Sequence, residues 1–380
     1  MDTETRDQLL GTLRRFVDER LRPAEARVAE ADQVPADIVD EMKALGLFGL
    51  TVPEEYGGMG LSVEDEAMVA MEIGRTSLAF RSVFGTNVGI GSQGLVMFGT
   101  PEQKQRFLPG IASGDISTSF ALTEPEAGSD AASVRTRAIL DGDSYVLNGT
   151  KRYITNADTA HLFTVMARSA PAIEGAGGVS AFLVPRDLPG LTVGKPERKM
   201  GQQGAHICDV IFENVRVPAS LRLGAEGQGF KIAMQVLDRG RIHIAAVYTG
   251  TAERLIADSV AYAVERRQFG KPIADFQLVQ AMIADSKTEA LASRALVLQT
   301  ARLRDTGATV VLEAAAAKYF ASEMVGRVAD RAVQIFGGAG YVADYGIERF
   351  YRDVRIARIY EGTSQIQQIV IARETIRRGG

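Results

Sequence analysis

Tryptophan is absent from this 380-residue chain, and cysteine occurs once, at Cys208. A single cysteine excludes an internal disulfide and a multi-cysteine metal site. Three histidines, His161, His206 and His243, are scattered without metal-ligand spacing, so no metal is expected. No apolar run approaches the ~20 residues that span a bilayer. Met1-Asp2-Thr3-Glu4-Thr5 shows neither a basic-then-apolar leader nor an Arg-rich, acid-poor one. A reducing, cytoplasmic setting without membrane insertion is the expectation. Neither sign of charge dominates: 43 Lys and Arg stand against 47 Asp and Glu. Nothing here suggests a nucleic-acid or membrane-surface protein. Runs such as Glu265-Arg266-Arg267 read as solvated helix faces. The chain also lacks a G-x-S-x-G elbow, a P-loop, an H-E-x-x-H helix and a C-x-x-C pair. Gly224, Gly227 and Gly229 form a G-x-x-G-x-G, but without a βαβ unit it reads as a hinge.

What is present is a chain 46% hydrophobic, with ample core for two or three domains. Residues 1–117 carry helical periodicity at Leu9, Leu10, Leu13, Phe16 and Val17, and again at Ile38, Met42 and Leu45. Residues 118–222 change character. Arg137–Leu140 and Tyr145–Leu147 flank the turn Asp141–Ser144, and short strands are expected at Leu162–Ala167, Val179–Val184 and Asp209–Phe212. From 223 to 380 long helices return, broken at Gly270-Lys271-Pro272 and Gly337–Gly340. The fold class is α+β, mainly α: a helical domain, a small antiparallel barrel or sandwich, and a helical bundle.

What remains for chemistry is the pair of Gly-rich polar turns at 123–130 and 334–341, plus Glu361. Thr123–Asp130 is a hydrogen-bonding turn at a domain junction. In Lys151–Asn156, strand alternation puts Tyr153 and Thr155 on one face. Glu361 precedes a helix whose apolar stripe is Ile366, Ile369 and Val370, with Ser364 and Gln367 spaced as a capping box. A carboxylate before an apolar segment, beside a glycine, is where a base of raised pKa can be built.

Seven motifs in register carry a resemblance. They are Pro53-Glu-Glu-Tyr-Gly-Gly58, Leu122-Thr-Glu-Pro-Glu-Ala-Gly-Ser-Asp130, Gly149-Thr-Lys-Arg-Tyr-Ile-Thr-Asn156, Phe212 with Val215-Arg-Val-Pro218, Glu265-Arg-Arg-Gln-Phe-Gly270, Gln334-Ile-Phe-Gly-Gly-Ala-Gly-Tyr341, and Tyr360-Glu-Gly-Thr-Ser-Gln-Ile-Gln367. Along essentially its whole length the chain resembles the acyl-CoA dehydrogenase flavoproteins. The resemblance implies FAD-dependent α,β-dehydrogenation of an acyl-CoA thioester, as in fatty-acid β-oxidation. Glu361 matches the base that removes the α proton, while a hydride passes from the β carbon to flavin N5. It implies a flavin seat of Phe120, Leu122, Thr123, Tyr153 and Thr155, with Ser129 toward the flavin or the pantetheine arm. Thr363 and Gln365 would touch FAD from the base's loop. Arg266, Phe269, Gln277, Gln334, Gly337 and Gly338 resemble residues that bind a neighbouring subunit's FAD. Asp238, Arg241 and Gly362 match substrate contacts. It further implies a homotetramer, a dimer of dimers, and an electron-transfer flavoprotein as electron acceptor.

The departures are specific. Gly240 stands where some branches carry the base, so Glu361 keeps that role. Tyr153 takes a position often held by Trp. Glu126 replaces a small residue, and Gly204-Ala-His-Ile207 lacks a common Ser/Thr pattern. Three other readings stay open. One is the same chemistry on a carrier-protein-bound acyl group. Another is a flavin oxidase or monooxygenase, and a third is a non-enzymatic helical scaffold. Retention of Glu361 argues against the monooxygenases, which need no α-proton base.

Overall fold

The computed structural model describes residues 1–379. Local sequence signals set most of the element boundaries. Asp2 Oδ1 accepts from Thr5 N at 2.8 Å and caps the helix Thr3–Phe16. Thr100 and Gln103 form a capping box on Pro101–Ser113, with proline at the first helical position. The first 113 residues are helices and turns around a core of Leu13, Val17, Leu21, Phe80 and Phe84. The first strand, Thr118–Ala121, follows directly.

Of the two forms expected for the middle domain, barrel or sandwich, the central sheet does not, among the described residues, form the closed barrel, and it is not wholly antiparallel. From one edge its order is Leu191–Val193, Ile207–Pro218, Ser144–Thr155, Arg137–Asp141, Leu162–Arg168, Val179–Pro185, Arg222–Leu223. Thr118–Ala121 pairs with Leu162–Arg168 in parallel, and Arg137 pairs in parallel with Arg168. The path is open at both ends, so among the described residues no barrel closes. A parallel pairing needs a long crossover. Here the hairpin Arg137–Thr155 lies in the chain between the two parallel strands, so hairpin periodicity alone did not reveal it.

The expected shared face of Tyr153 and Thr155 is also corrected. The pairing of Ser144–Thr155 with Ile207–Pro218 slips between Lys151 and Ile154, and Tyr153 is left-handed at φ 58°. A bulge of this kind breaks the period of two and re-aims one side chain.

Four helices form the C-terminal bundle: Gly229–Glu265, Gln277–Asp305, Val311–Phe336 and Ser364–Arg378. The first is buried on nearly every side at Ile242–Gly250, because it packs on the N-terminal helices as well as on the bundle. Its crossing with Val63–Ile73 is backbone to backbone. A Cβ on Gly74 would lie 2.1 Å from the Val247 carbonyl oxygen, and one on Gly250 1.9 Å from that of Met71. Only glycine permits that approach. The crossing seats the N-terminal segment 81–90 against the long helix, where the candidate site lies.

Candidate active site

The chain turns at Glu361 and Gly362 with two successive left-handed residues, φ 53° and 89°. A left-handed glutamate costs on the order of 1–3 kcal/mol and persists only where neighbours hold it. They do so here. Gln367 Nε2 donates to the Glu361 carbonyl at 3.1 Å and to the Gly362 carbonyl at 3.0 Å. Lys318 Nζ donates to the Gly362 carbonyl at 2.7 Å. The expected capping box does not form, and the N-cap lies one residue earlier. Thr363 is the N-cap, its Oγ1 accepting from Ile366 N at 3.2 Å, while Ser364 Oγ donates to Glu323 Oε1 at 2.7 Å. Gln367 is spent on the turn rather than on a cap.

The Glu361 side chain points at the long helix. An ideal Cβ on Gly240 would lie 2.6 Å from Glu361 Oε2 and 3.1 Å from Ile90 Cγ2. Oε2 is sealed from solvent and has no hydrogen-bond partner among the described residues. Burial therefore raises the Glu361 pKa, against the pull of Arg81, Lys318 and Arg241. A dry, partnerless carboxylate oxygen is a poor structural anchor and a suitable proton acceptor.

The surrounding cations are themselves organised. Arg81 Nε donates to His243 Nε2 at 3.0 Å, and His243 Nδ1 meets Glu66 Oε1 at 3.0 Å. Arg239 pairs with Glu66 at 2.7 Å. Burial, then Arg81, lowers the His243 pKa, so the ring stays neutral, donating to Glu66 and accepting from Arg81. Arg241 Nη1 donates to Asp238 Oδ1 at 2.7 Å, and burial raises the Asp238 pKa. Arg241 Nε is buried without a partner.

Residues of the expected flavin seat gather on the middle sheet. Gly91, next to Ile90, abuts Thr118 at the start of the strand that carries Phe120. Ser119 Oγ donates to the Thr155 carbonyl at 2.7 Å, which ties Thr155 to the same strand. Tyr153 is 56% exposed, with the Arg152 guanidinium 5.6 Å from its ring centre. Leu122 is buried, and its carbonyl accepts from Lys151 Nζ at 3.0 Å. Glu124, in the turn Thr123–Asp130, points inward. It accepts from Lys151 Nζ at 2.7 Å, Arg135 N at 2.6 Å and Thr136 N at 2.9 Å. It fixes the loop, while Thr123 stays half-buried and Ser129 lies exposed.

Arg266, Phe269, Gln277, Gln334, Gly337 and Gly338 form a second, exposed cluster. Tyr262 stacks on Phe336 with ring centres 4.1 Å apart, joining the end of the long helix to the glycine turn. Phe269 is 93% exposed and left-handed, at the tip of the hairpin Arg267–Pro272. Gly240 and Glu265 lie roughly 38 Å apart along one helix at ~1.5 Å per residue, so this cluster is far from its own Glu361.

Sequence reasoning missed Lys318, Arg81, the His243–Glu66 pair and Ile90. Lys318 left a signal: it interrupts the stripe Ala314, Ala317, Ala321, Val325 and Val328, all buried. Arg81 left none, since its partners lie far away in sequence.

Three profiles of acyl-CoA dehydrogenase domains match: N-terminal at residues 3–115, middle at 119–215 and C-terminal at 227–376. An acyl-CoA dehydrogenase of Bacillus subtilis is 43% identical over 361 residues, 95% of either chain. Butyryl-CoA dehydrogenase from Megasphaera elsdenii superposes with a TM-score of 0.95 at 36% identity, covering 99% of this chain and 100% of that one. An acyl-CoA dehydrogenase from Bacillus anthracis complexed with FAD gives 0.92 at 34%, covering 100% and 68%. Three further solved chains bear on chemistry. One is described with the electron-transferring flavoprotein of Acidaminococcus fermentans (41%, TM-score 0.96, covering 99% and 100%). Another is a glutaryl-CoA dehydrogenase–glutaryl-CoA complex (33%, 0.94, covering 99% and 96%). The third is the prolyl acyl-carrier-protein oxidase AnaB (32%, 0.95, covering 98% and 99%). The chain belongs to the acyl-CoA dehydrogenase family, oxidoreductases whose cofactor is FAD.

Proposed function

We propose that this protein oxidises an acyl-CoA thioester to the trans-2-enoyl-CoA, with Glu361 Oε2 taking the α proton. The single observation that carries this is the sealed, partnerless Oε2 held against Gly240. The absence of a side chain at Gly240 is what lets the carboxylate lie against the long helix at this point. When bound, FAD supplies the hydride acceptor. The chain's residues fit it: a Tyr153 re-aimed outward by its bulge suits stacking, and the loop Leu122–Thr123 is fixed by the Lys151–Glu124 pair. The backbone N–H of Glu361 and the substrate groups Asp238, Arg241 and Gly362 would orient the thioester, and the N–H would stabilise its enolate-like oxygen.

The second cluster cannot reach a ligand at its own Glu361. It suits the distal half of a flavin dinucleotide bound to another copy, with Arg266 toward the pyrophosphate. That supports an obligate oligomer, and the resemblance to the family implies a dimer of dimers. The relative described with an electron-transferring flavoprotein supports such a protein as electron acceptor.

Arg81 favours one refinement. A guanidinium beside the base opposes the rise of its pKa, and an acidic acyl end would neutralise it. Anaerobic flavin bleaching with butyryl-CoA, glutaryl-CoA and longer or branched acyl-CoAs tests the reading. Bleaching by at least one acyl-CoA is required. Faster bleaching by glutaryl-CoA supports the role of Arg81. Bleaching only by an acyl group on a carrier protein would favour the AnaB-like alternative.

A further inference from the structure

Lys318 is fully buried, and nothing in the scheme above uses its charge. It rises from the helix Val311–Phe336 and reaches beneath the turn that carries the base. Its Nζ and the Gln367 amide converge on one acceptor, the Gly362 carbonyl, at 2.7 and 3.0 Å. The Gln367 amide also holds the Glu361 carbonyl. Two helices thus grip the only two left-handed residues of the turn from below. The remaining charges around Lys318 are Glu361 on the turn, Arg241 on the long helix and Glu323 on its own helix. Glu323 is already engaged by Ser364 and by Arg358 at 3.2 Å. Glu361 is therefore the one acidic neighbour without a partner of its own.

We propose that Lys318 is a positioning residue for the base: it locks the Gly362 carbonyl, so that the strained turn aims Glu361 Oε2 at the substrate, and it supplies the counter-charge for the ionised carboxylate. The inference rests on Glu361 being the base. Burial lowers the Lys318 pKa to about 8, against the pull of Glu361, so it is mainly charged at neutral pH. Gln367 shares the grip but carries no charge, which lets geometry and charge be separated.

The test compares flavin reduction by acyl-CoA in holoenzyme carrying Lys318→Met, Gln367→Met or Glu361→Gln, across pH. Loosening the turn should cost both Met variants ~10²-fold in maximal reduction rate with little change in KM, as for a misplacement of about 1 Å. Only Lys318→Met should also move the acid limb, upward by about one pH unit, because only it removes a neighbouring positive charge. Groups other than Lys318 that face Glu361 are Arg81 and Arg241, and both are unchanged in each variant. If Lys318→Met does not fold, Lys318→Gln keeps a donor for Gly362 and carries the same pH test. A Lys318 variant with the wild-type rate and acid limb overturns the proposal. So does a rate loss with an unmoved limb, which would leave Lys318 a purely structural clamp. Wild-type reduction by Glu361→Gln would instead remove the assignment of the base itself.

Discussion

Adding one methyl group at Gly240 sets two effects against each other. Mid-helix Gly→Ala favours the helix by roughly 1 kcal/mol. The new Cβ, however, would sit 2.6 Å from Glu361 Oε2 and 3.1 Å from Ile90 Cγ2. Carbon and oxygen need roughly 3.4 Å or more in ordinary contact, so the carboxylate must retreat by about 0.8 Å. Such a retreat from a reactive geometry costs ~10²-fold in rate. Gly240→Ala is thus expected to bind FAD and melt at or slightly above the wild-type temperature, yet to reduce its flavin ~10²-fold more slowly. Stopped-flow bleaching under saturating acyl-CoA reads the rate, and calorimetry reads the stability. An Ala variant that reduces flavin at the wild-type rate would refute the claim that the carboxylate must lie against Gly240 to react. A variant that simply unfolds would show that the overlap is structural.

Other outcomes follow from the same geometry. Lys151→Met strands a buried Glu124 without its cation, so a loss of ~3–5 kcal/mol and poor FAD retention are expected, measured by melting and flavin content. Burial raises the Asp353 pKa to about 6 from 3.8, while Gln202 N donates to its carboxylate. A raised carboxyl pKa means the fold prefers the protonated form. Stability from this group is present at low pH and is lost as pH rises from about 4 to 6. Asp353→Asn keeps the acceptor and removes that loss, so its unfolding free energy should gain on wild type between pH 4 and 7, by up to ~3 kcal/mol, measured by denaturant unfolding at each pH. Arg266→Ala and Phe269→Ala should release FAD without unfolding the chain. If the second cluster serves another copy's flavin, as proposed, mixing either with Glu361→Gln subunits restores activity, read as flavin bleaching by the mixture and by neither variant alone.

Much of the layout was legible because it is local. The glycine breaks and the hairpin at Asp141–Ser144 follow from short-range rules, whereas the cap expected at Ser364 falls on Thr363. Glu361 was singled out in the sequence through its motif. Its strained backbone and its contact with Gly240 were not, since they depend on residues 121 positions apart packing together. The parallel pairing of Thr118–Ala121 was hidden for the same reason: period-2 patterns show a strand but not its partner. Tyr153 was recognised as a residue, but a bulge rather than strand alternation aims it. The inward role of Glu124 was not legible, because its partner Lys151 lies 27 positions away and is found buried beneath it only in the fold. No helix among the described residues is long and apolar enough to cross a membrane, in keeping with the hydropathy of the sequence.

The most direct measurement is single-turnover flavin reduction by Glu361→Gln, loaded with FAD and saturated with a thioester that bleaches the wild type. Glutamine keeps the shape and removes the proton acceptor. The account requires that ligand binding survive, seen as a perturbed flavin spectrum, while reduction slows by ~10³-fold or more. Rapid bleaching by this variant would contradict it.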